Sequence, residues 1–137
     1  MMIRAVLDTN IWLASIEWRG RGYKIRQYAE EYKFTPVCSL GILAELTRVL
    51  RRDFGYSDDD AYYWYNRIGS LCDLVSPESL LNVVPDNSTD NKFIECAVEG
   101  EVEYIVSRDR HLLRIGEYEG IKIVDDKEFI AIIEAEQ

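Results

Sequence analysis

The sequence predicts an α/β protein in which a central, mostly parallel sheet lies between layers of helices, a three-layer α/β/α sandwich. Short apolar runs such as IRAVL, VEYIVS and IKIVD alternate with segments that carry apolar residues at helical spacing. Strands that are apolar throughout are typical of parallel sheets covered on both faces. No linker, repeat or low-complexity segment divides the 137 residues, so we expect one domain over residues 1–137.

The strands are predicted from short apolar runs, and the helices from apolar side chains that recur every three or four residues. In chain order, the predicted strands cover residues 3–7, 34–37, 80–85, 102–107 and 121–125. The predicted helices cover residues 20–32, 40–52, 61–72, 91–100, 109–116 and 126–136.

Several of these helices also have recognisable ends. Ser39 is a good N-cap for the helix that follows it, and the last turn of that helix is basic, as the helix dipole favours. The acidic segment SDDD leads into the aromatic helix at 61–72. Thr89 or Asp90 is expected to cap the next helix, which Gly100 ends.

The composition excludes several classes of function. No run approaches the ~20 apolar residues of a membrane helix, and the start MMIRAVLDTN is wrong for a signal peptide, so we expect a soluble, cytoplasmic protein without membrane contact. His111 is the only histidine, which excludes zinc catalysis of the HExxH type. The three cysteines are isolated in the sequence and are expected to be buried, reduced thiols rather than zinc ligands.

The formal net charge of −9 leaves two alternatives open. Phosphate binding is driven by Lys and Arg, so an acidic chain is an awkward partner for nucleic acid. Either the negative charge is concentrated at a site that binds cations, or the protein does not bind nucleic acid. The positions of the acids within the predicted elements distinguish these two alternatives.

Four acids are placed where a parallel sheet has its functional crevice, beyond the carboxyl ends of the strands. Asp8 and Asp109 follow predicted strands, Asp90 begins a helix, and Glu45 lies at the margin of the apolar stripe of its helix. Two carboxylates ~5 Å apart repel by ~3 kcal/mol at an effective dielectric of ~20. A hard cation such as Mg²⁺ or Mn²⁺ removes this repulsion and can activate water for attack on a phosphodiester.

Each of these acids has an ordinary structural explanation when it is considered alone. Asp8, Asp90 and Asp109 are all acceptable helix N-caps, and Glu45 can be a solvated residue on a helix surface. With 25 acids in the chain, some such positions arise by chance, so the spacing alone gives a weak case.

The segments around the four acids resemble the PIN-domain ribonucleases, particularly the bacterial and archaeal branch of toxins from toxin–antitoxin systems. VLDTNIWLAS resembles the first strand of the family with its Asp-Thr-Asn turn, and SLGILAELTRVLRR resembles the segment with the helical Glu. TDNKFIECAVEGEVEYIVSRDRHLL is similar to the Asp-Asn-Lys-Phe helix, strand and terminal Asp of the family. The resemblance extends over nearly the whole chain.

This resemblance implies an Mg²⁺- or Mn²⁺-dependent endoribonuclease that hydrolyses phosphodiester bonds of RNA. It assigns the catalytic and metal-binding roles to Asp8, Glu45, Asp90 and Asp109. Asn10 would hold the Asp8 loop in place, and Ser107 would form a hydrogen bond within the site. The resemblance also implies a protein antitoxin in the acidic cleft and self-association into a dimer.

The chain departs from the family pattern at two positions. Arg108 stands where the family often has Gly, and it either contacts the scissile phosphate or pairs with the acids and weakens metal binding. Thr89 stands where many relatives have another acid. We expect two basic groups to lie along the RNA path: Arg19, Arg21, Lys24 and Arg26 after the first loop, and Arg108, Arg110 and Arg114 around Asp109. One alternative stays open, namely a PIN-like binding or scaffold module with little nuclease activity.

Overall fold

The computed structural model describes residues 2–77 and 91–137, and six strands of these residues form one sheet. In chain order the strands are β1 (Arg4–Leu7), β2 (Thr35–Ser39), β3 (Asp73–Val75), β4 (Tyr104–Val106), β5 (Glu117–Tyr118) and β6 (Ile121–Val124). Their order across the sheet is β3-β2-β1-β4-β6-β5, and every pair is parallel except β5 with β6. Helices flank this mostly parallel sheet, which confirms the predicted fold class.

The helices in the described residues are α1 (Thr9–Glu17), α2 (Arg21–Glu30), α3 (Leu40–Phe54), α4 (Asp58–Leu71), α5 (Asn91–Glu99), α6 (Arg110–Ile115) and α7 (Asp126–Ala135). The Ser39 hydroxyl accepts a hydrogen bond from the backbone N–H of Ile42, so Ser39 is the N-cap that the sequence predicts. Gly55 ends α3 in the left-handed conformation, at φ 69°. Asp125 and Glu128 form a capping box at the start of α7.

Three features of the chain either differ from the sequence prediction or lie outside the described residues. Helix α1 was not predicted, because TNIWLASIE is apolar or buried on most sides and has no regular polar face. Strand β5 has only two residues, and β3 has three, so neither gives a periodic pattern. The predicted strand at 80–85 and the predicted cap at Thr89 or Asp90 lie outside the described residues.

The apolar core lies on the sheet and contains most residues of β1, β4 and β6. Phe34 packs edge-on against Phe129 of α7, with 5.0 Å between ring centroids. Gly22 of α2 faces α1 so closely that a Cβ there would lie 2.9 Å from the Ala14 Cβ and the Ile11 carbonyl oxygen. Any larger residue at position 22 would therefore separate the two helices, which makes this glycine a requirement of the α1–α2 packing.

The three cysteines, isolated in the sequence, converge in the fold as free thiols; Cys38 and Cys96 are buried as predicted, whereas Cys72 is only partly buried. Contact with the Cys38 thiol, together with burial, raises the pKa of Cys72 well above its ordinary value. Burial raises the pKa of Cys96 to about 12. Thiols with such pKa values stay protonated near neutral pH, so they are poor metal ligands. Within the described ranges, no helix is both long and apolar enough to span a bilayer.

Candidate active site

The buried side chain of Asp8 is held at the carboxyl edge of the sheet between two neighbouring strands. Strands β1 and β4 pair in parallel with Leu7 opposite Val106, which places Asp8 beside Ser107. Asp8 is only 3% exposed. Its Oδ1 accepts a hydrogen bond from the backbone N–H of Ile11 at 2.9 Å, and its Oδ2 accepts one from the Ser107 hydroxyl. Asp8 therefore caps α1 with one carboxylate oxygen, and its other oxygen is hydrogen-bonded to Ser107, the residue that follows β4.

The Ser107 hydroxyl also connects Asp8 to Asp109. Ser107 is fully buried, and its Oγ accepts a hydrogen bond from the backbone N–H of Asp109 at 2.9 Å. The Asp109 carboxylate caps α6, where its Oδ1 accepts from the backbone N–H of His111 at 2.7 Å. One buried hydroxyl thus fixes the Asp8 carboxylate and the backbone that carries Asp109 relative to each other.

Glu45 approaches the same edge from α3, at the rim of the core where its helical position predicts it. Its side chain is 16% exposed. One carboxylate oxygen accepts a hydrogen bond from the hydroxyl of Thr9, the residue after Asp8. The other oxygen pairs with the Lys92 ammonium, and Arg48 Nη2 lies 3.8 Å from it. The negative charge of Glu45 is therefore balanced by protein cations in this structure.

The site chemistry fits a hard cation through its donors, which are carboxylate oxygens. In residues 2–77 and 91–137, however, no group of three or more His, Cys, Asp or Glu side chains is placed to hold a metal ion. The fourth predicted acid, Asp90, lies outside these residues, as does Thr89. The described part of the site accordingly consists of the connected pair Asp8 and Asp109, with Glu45 joined to it through Thr9.

Residues that neighbour Asp8 and Asp109 in the chain line a cavity of about 360 Å³. It is bounded by the start of α1, the turn between α1 and α2, Arg108 before Asp109, and the first turn of α7. Two of the arginines predicted to lie along the RNA path, Arg21 and Arg108, line it. Asn10 is exposed and lines this cavity as well.

The other basic residues near the first loop have different environments. Arg19 is exposed, and its guanidinium donates to the Tyr23 hydroxyl at 2.8 Å. Arg26, which the sequence groups with Arg19 and Arg21, is instead buried; it pairs with Glu30 at 3.1 Å and donates to the Ser15 carbonyl. Burial lowers the pKa of Arg26. Its expected place on the RNA path is therefore wrong, because the core surrounds it.

Three residues near the site escaped the sequence analysis. Thr9 follows Asp8 directly, and Lys92 lies in the first turn of α5, so proximity to a predicted acid was the available signal for both. Asp126 is the second residue after β6, so it follows a strand closely, as Asp8 and Asp109 do. The rule that selected Asp8 and Asp109, an acid just after a strand, would have selected Asp126 as well.

A protein-family model and solved structures are similar to this chain. A family model described as PIN domain matches residues 4–111. The fold is similar to that of PAE2754 from Pyrobaculum aerophilum, with 13% identity, a TM-score of 0.63, and coverage of 97% of this chain and 90% of that one. The fold is also similar to that of VapBC2 from Rickettsia felis, whose structure was solved with a bound DNA fragment from the VapBC2 promoter.

The VapBC2 match has 13% identity and a TM-score of 0.64, and it covers 90% of this chain and 98% of that chain. No curated protein sequence matches the chain. At such identities the solved structures show a common fold and nothing finer. The family model, in contrast, extends from the first strand to the start of α6, past Asp8, Glu45 and Asp109. The chain belongs to the PIN domain family.

Proposed function

We propose that this protein is an Mg²⁺- or Mn²⁺-dependent endoribonuclease, with Asp8, Glu45, Asp90 and Asp109 as its acidic site. PIN domains are in general nucleases that use divalent metals, which gives the reaction class. The observation that carries the finer proposal is the Ser107 hydroxyl, which joins Asp8 on one strand end to Asp109 on the next. Two acids that are fixed to each other in this way are suited to share a cation.

A bound Mg²⁺ or Mn²⁺ would supply charge neutralisation at the phosphate and activation of a water molecule. The residues of the chain would fix the positions of the carboxylates that hold the metal. Asp8 cannot rotate freely, because Ile11 and Ser107 each hold one of its oxygens. Asp109 is oriented by the first turn of α6. The site is therefore organised before any substrate binds, as electrostatic catalysis requires.

Lys92 has a part in this proposal because it holds Glu45 when no metal does. Its ammonium pairs with the carboxylate oxygen that Arg48 also approaches. Glu45 would hold the metal through this oxygen, and Lys92 would place its positive charge near the phosphate. Arg108, at the mouth of the neighbouring cavity, contacts the phosphate backbone of the RNA.

For partners, we propose RNA as the substrate, an antitoxin protein that covers the acidic cleft, and a homodimer as the form in solution. The proposal of an antitoxin draws on the similarity of fold to VapBC2 and on the resemblance of the motifs to toxins. An acidic cleft at which Lys92 already neutralises one carboxylate is suited to a basic side chain from a partner. We further propose that the protein acts in the cytoplasm.

The test is cleavage of labelled single-stranded RNA by the purified protein with Mn²⁺, with Mg²⁺ and with EDTA. Asp8→Asn is the informative variant, because Asn is also a good N-cap and should preserve the start of α1. We expect metal-dependent cleavage by the wild-type protein and none by Asp8→Asn. Equal cleavage by both proteins would contradict the assignment of the site.

One observation favours the second candidate, a scaffold module that binds RNA without cutting it. The Lys92 ammonium balances Glu45 within the protein, so part of the acidic site is stable without a metal. A scaffold of this kind would bind the labelled RNA in a gel-shift assay and leave it intact with either metal. Cleavage that depends on Mn²⁺ and on Asp8 excludes the scaffold.

A further inference from the structure

The cavity beside the carboxylates has the size and walls of a site for one small ring. Its volume of about 360 Å³ is near the lower limit of small-ligand pockets, which measure about 300–1,000 Å³. Apolar and glycine residues form one part of the wall, and charged or amide side chains form the rest. The lining residues are Asn10, Ile11, Ala14, Trp18, Gly20, Arg21, Gly22, Arg108 and Asp126.

Asp126 places a buried carboxylate in this wall. Its side chain is 9% exposed. Oδ1 accepts a hydrogen bond from the backbone N–H of Lys127 at 2.8 Å, and the Arg21 guanidinium lies 3.9 Å away. No residue in the described ranges donates a hydrogen bond to Oδ2. Asp125 and Glu128 already cap α7, so Asp126 is not needed for that purpose. Oδ2 can accept hydrogen bonds from N–H donors of a ligand in the cavity.

Trp18 offers an aromatic face at the same cavity. It is 58% exposed, although it is among the largest apolar side chains, and it meets Phe54 edge-on at 6.0 Å. This edge contact fixes the ring position without covering both of its faces. Exposed aromatic faces beside positive groups are the usual stacking surface for unpaired bases in RNA-binding proteins. Arg21 and Arg108 supply the positive groups here.

The location of the cavity connects it to the proposed reaction. Asn10 and Ile11 follow Asp8 closely in the chain, and Arg108 directly precedes Asp109. A nucleotide with its phosphate at the carboxylates would therefore have its base within reach of the cavity. We propose that this cavity binds a guanine base of the RNA beside the cleaved bond, with Asp126 as acceptor and Trp18 as stacking surface. This role in cleavage rests on the proposed function.

The carboxylate selects guanine over the other bases by hydrogen-bond chemistry. Guanine has two adjacent donors on its Watson–Crick edge, the ring N1–H and the exocyclic amino group, and a carboxylate accepts both. Adenine and cytosine place a ring nitrogen acceptor beside their amino group, so they would direct a lone pair at Asp126. Uracil has one N–H between two carbonyl oxygens. A good bidentate contact discriminates by about 1–3 kcal/mol, which corresponds to about tenfold or more in affinity.

The test is an NMR titration of the ¹⁵N-labelled protein, in EDTA and without metal, with the monophosphates of guanosine, inosine and adenosine. We expect guanosine monophosphate to bind about tenfold more tightly than adenosine monophosphate, with inosine monophosphate between them because it lacks the amino group. The shifted signals should be those of Ile11, Gly22, Lys127 and the Trp18 indole. Equal affinities, or shifts confined to other residues, would overturn the proposal.

Two variants separate the roles of the wall residues. Asp126→Asn should abolish the preference for guanosine monophosphate and leave the binding of adenosine monophosphate nearly unchanged. Trp18→Ala, at an exposed position where folding is not at risk, should weaken all three nucleotides. Tyr62→Ala is the matched control, since Tyr62 is an equally exposed aromatic residue on α4 that does not line the cavity. A loss of the same size in Tyr62→Ala would overturn the stacking role.

Failure of the cavity proposal and failure of the proposed function are distinguishable. Selective binding of guanosine monophosphate without RNA cleavage leaves the base site standing and removes the nuclease. Metal-dependent cleavage without nucleotide selectivity removes the base site alone. If the nucleotides shift no cavity signals at all, the cavity serves another occupant, such as a side chain of a protein partner, and the base site is wrong.

Discussion

The two edges of the sheet both have a cavity and both have charged residues, but they differ in the burial of their polar groups. The cavity at the amino edge is larger, about 470 Å³ against about 360 Å³ at the carboxyl edge. Its polar residues are mostly exposed, as is the nearby ion pair of Arg4 with Asp73 at 2.8 Å. At the carboxyl edge, Asp8, Ser107 and Asp126 are buried.

If the functional site lies at the carboxyl edge, as we propose, cavity size is a poor guide to it in this protein. Burial of a polar group costs free energy unless hydrogen bonds replace its contacts with water. An exposed pair such as Arg4 with Asp73 carries little cost and contributes at most about 1 kcal/mol. Burial of Asp8, Ser107 and Asp126 at the carboxyl edge carries a larger cost, part of which their hydrogen bonds offset. Ligand binding is the explanation that we propose for this burial.

The largest expected effect is the loss of RNA cleavage in Glu45→Gln. The substitution keeps the shape of the side chain but removes its charge, so the rate should fall by about 100-fold or more. Glu103→Gln at the amino edge is the matched control, because Glu103 is an exposed acid that accepts from the Arg4 backbone at 3.3 Å. Its cleavage rate should equal that of the wild type. Equal rates in all three proteins would remove the distinction between the edges.

Removal of one hydroxyl at each edge should affect stability unequally. Ser107→Ala removes the hydrogen bond that the Ser107 hydroxyl donates to the buried Asp8 carboxylate, so the free energy of unfolding should decrease by about 1–3 kcal/mol. Thr35→Val at the amino edge removes only a half-buried hydroxyl that contacts Met2 Sδ at 3.2 Å. Urea denaturation should show no resolvable change for Thr35→Val. Costs of similar size would mean that Ser107 is an ordinary core hydroxyl.

Much of the fold could be predicted, because the strands next to the site are continuously apolar. IRAVL, VEYIVS and IKIVD gave β1, β4 and β6, which together hold Asp8, Asp109 and Asp126 at one edge. Helix α1 was missed because its buried residues leave no polar face to set a helical period. Three-residue β3 forms by pairing with β2 rather than from its own pattern, so tertiary contacts decide it.

The site could be predicted less completely than the fold. Strand ends bring acids together, and this rule pointed to Asp8 and Asp109 from sequence alone. The cation that balances Glu45 could not be predicted, because Lys92 and Glu45 are 47 residues apart and meet only through packing of α3 with α5. Nor could burial of Arg26 be foreseen, since a basic residue in a helix is usually solvated.

The contributions of two ion pairs to stability can also be compared, the half-buried Lys92–Glu45 pair and the exposed Arg4–Asp73 pair. Lys92→Met leaves the half-buried Glu45 charge without its main partner and should lower the free energy of unfolding by about 1 kcal/mol without metal. Asp73→Asn removes an exposed pair and should cost less. Addition of Mn²⁺ should restore more stability to Lys92→Met than to Asp73→Asn. Equal gains in the two variants would show that the metal does not replace Lys92.

The apolar interior between the edges provides a smaller test through pH. Burial raises the pKa of Cys96 to about 12, and burial with a hydrogen bond from Tyr56 to Glu17 raises the pKa of Tyr56 to about 12. The folded protein therefore keeps protons that the unfolded chain releases. Stability from these groups is complete below their ordinary pKa values, 9 for the thiol and 10 for the phenol, and decreases as pH rises towards 12.

Denaturation in urea across this alkaline range measures the effect. Tyr56→Phe should reduce the decrease, since Phe has no proton to release. A free energy of unfolding that stays constant or rises above pH 9 would contradict the assigned burial of the thiol and the phenol.

Thermal melting with Mn²⁺ is the most direct test of the claim that the buried acids at the carboxyl edge bind a divalent cation. A metal that binds only the folded state adds about 2.7 kcal/mol at a concentration 100 times its Kd. The melting temperature of the wild type and of Asp73→Asn should therefore rise by several degrees, and that of Asp8→Asn should not. An unchanged wild-type melting temperature, or an equal rise in Asp8→Asn, would contradict the account.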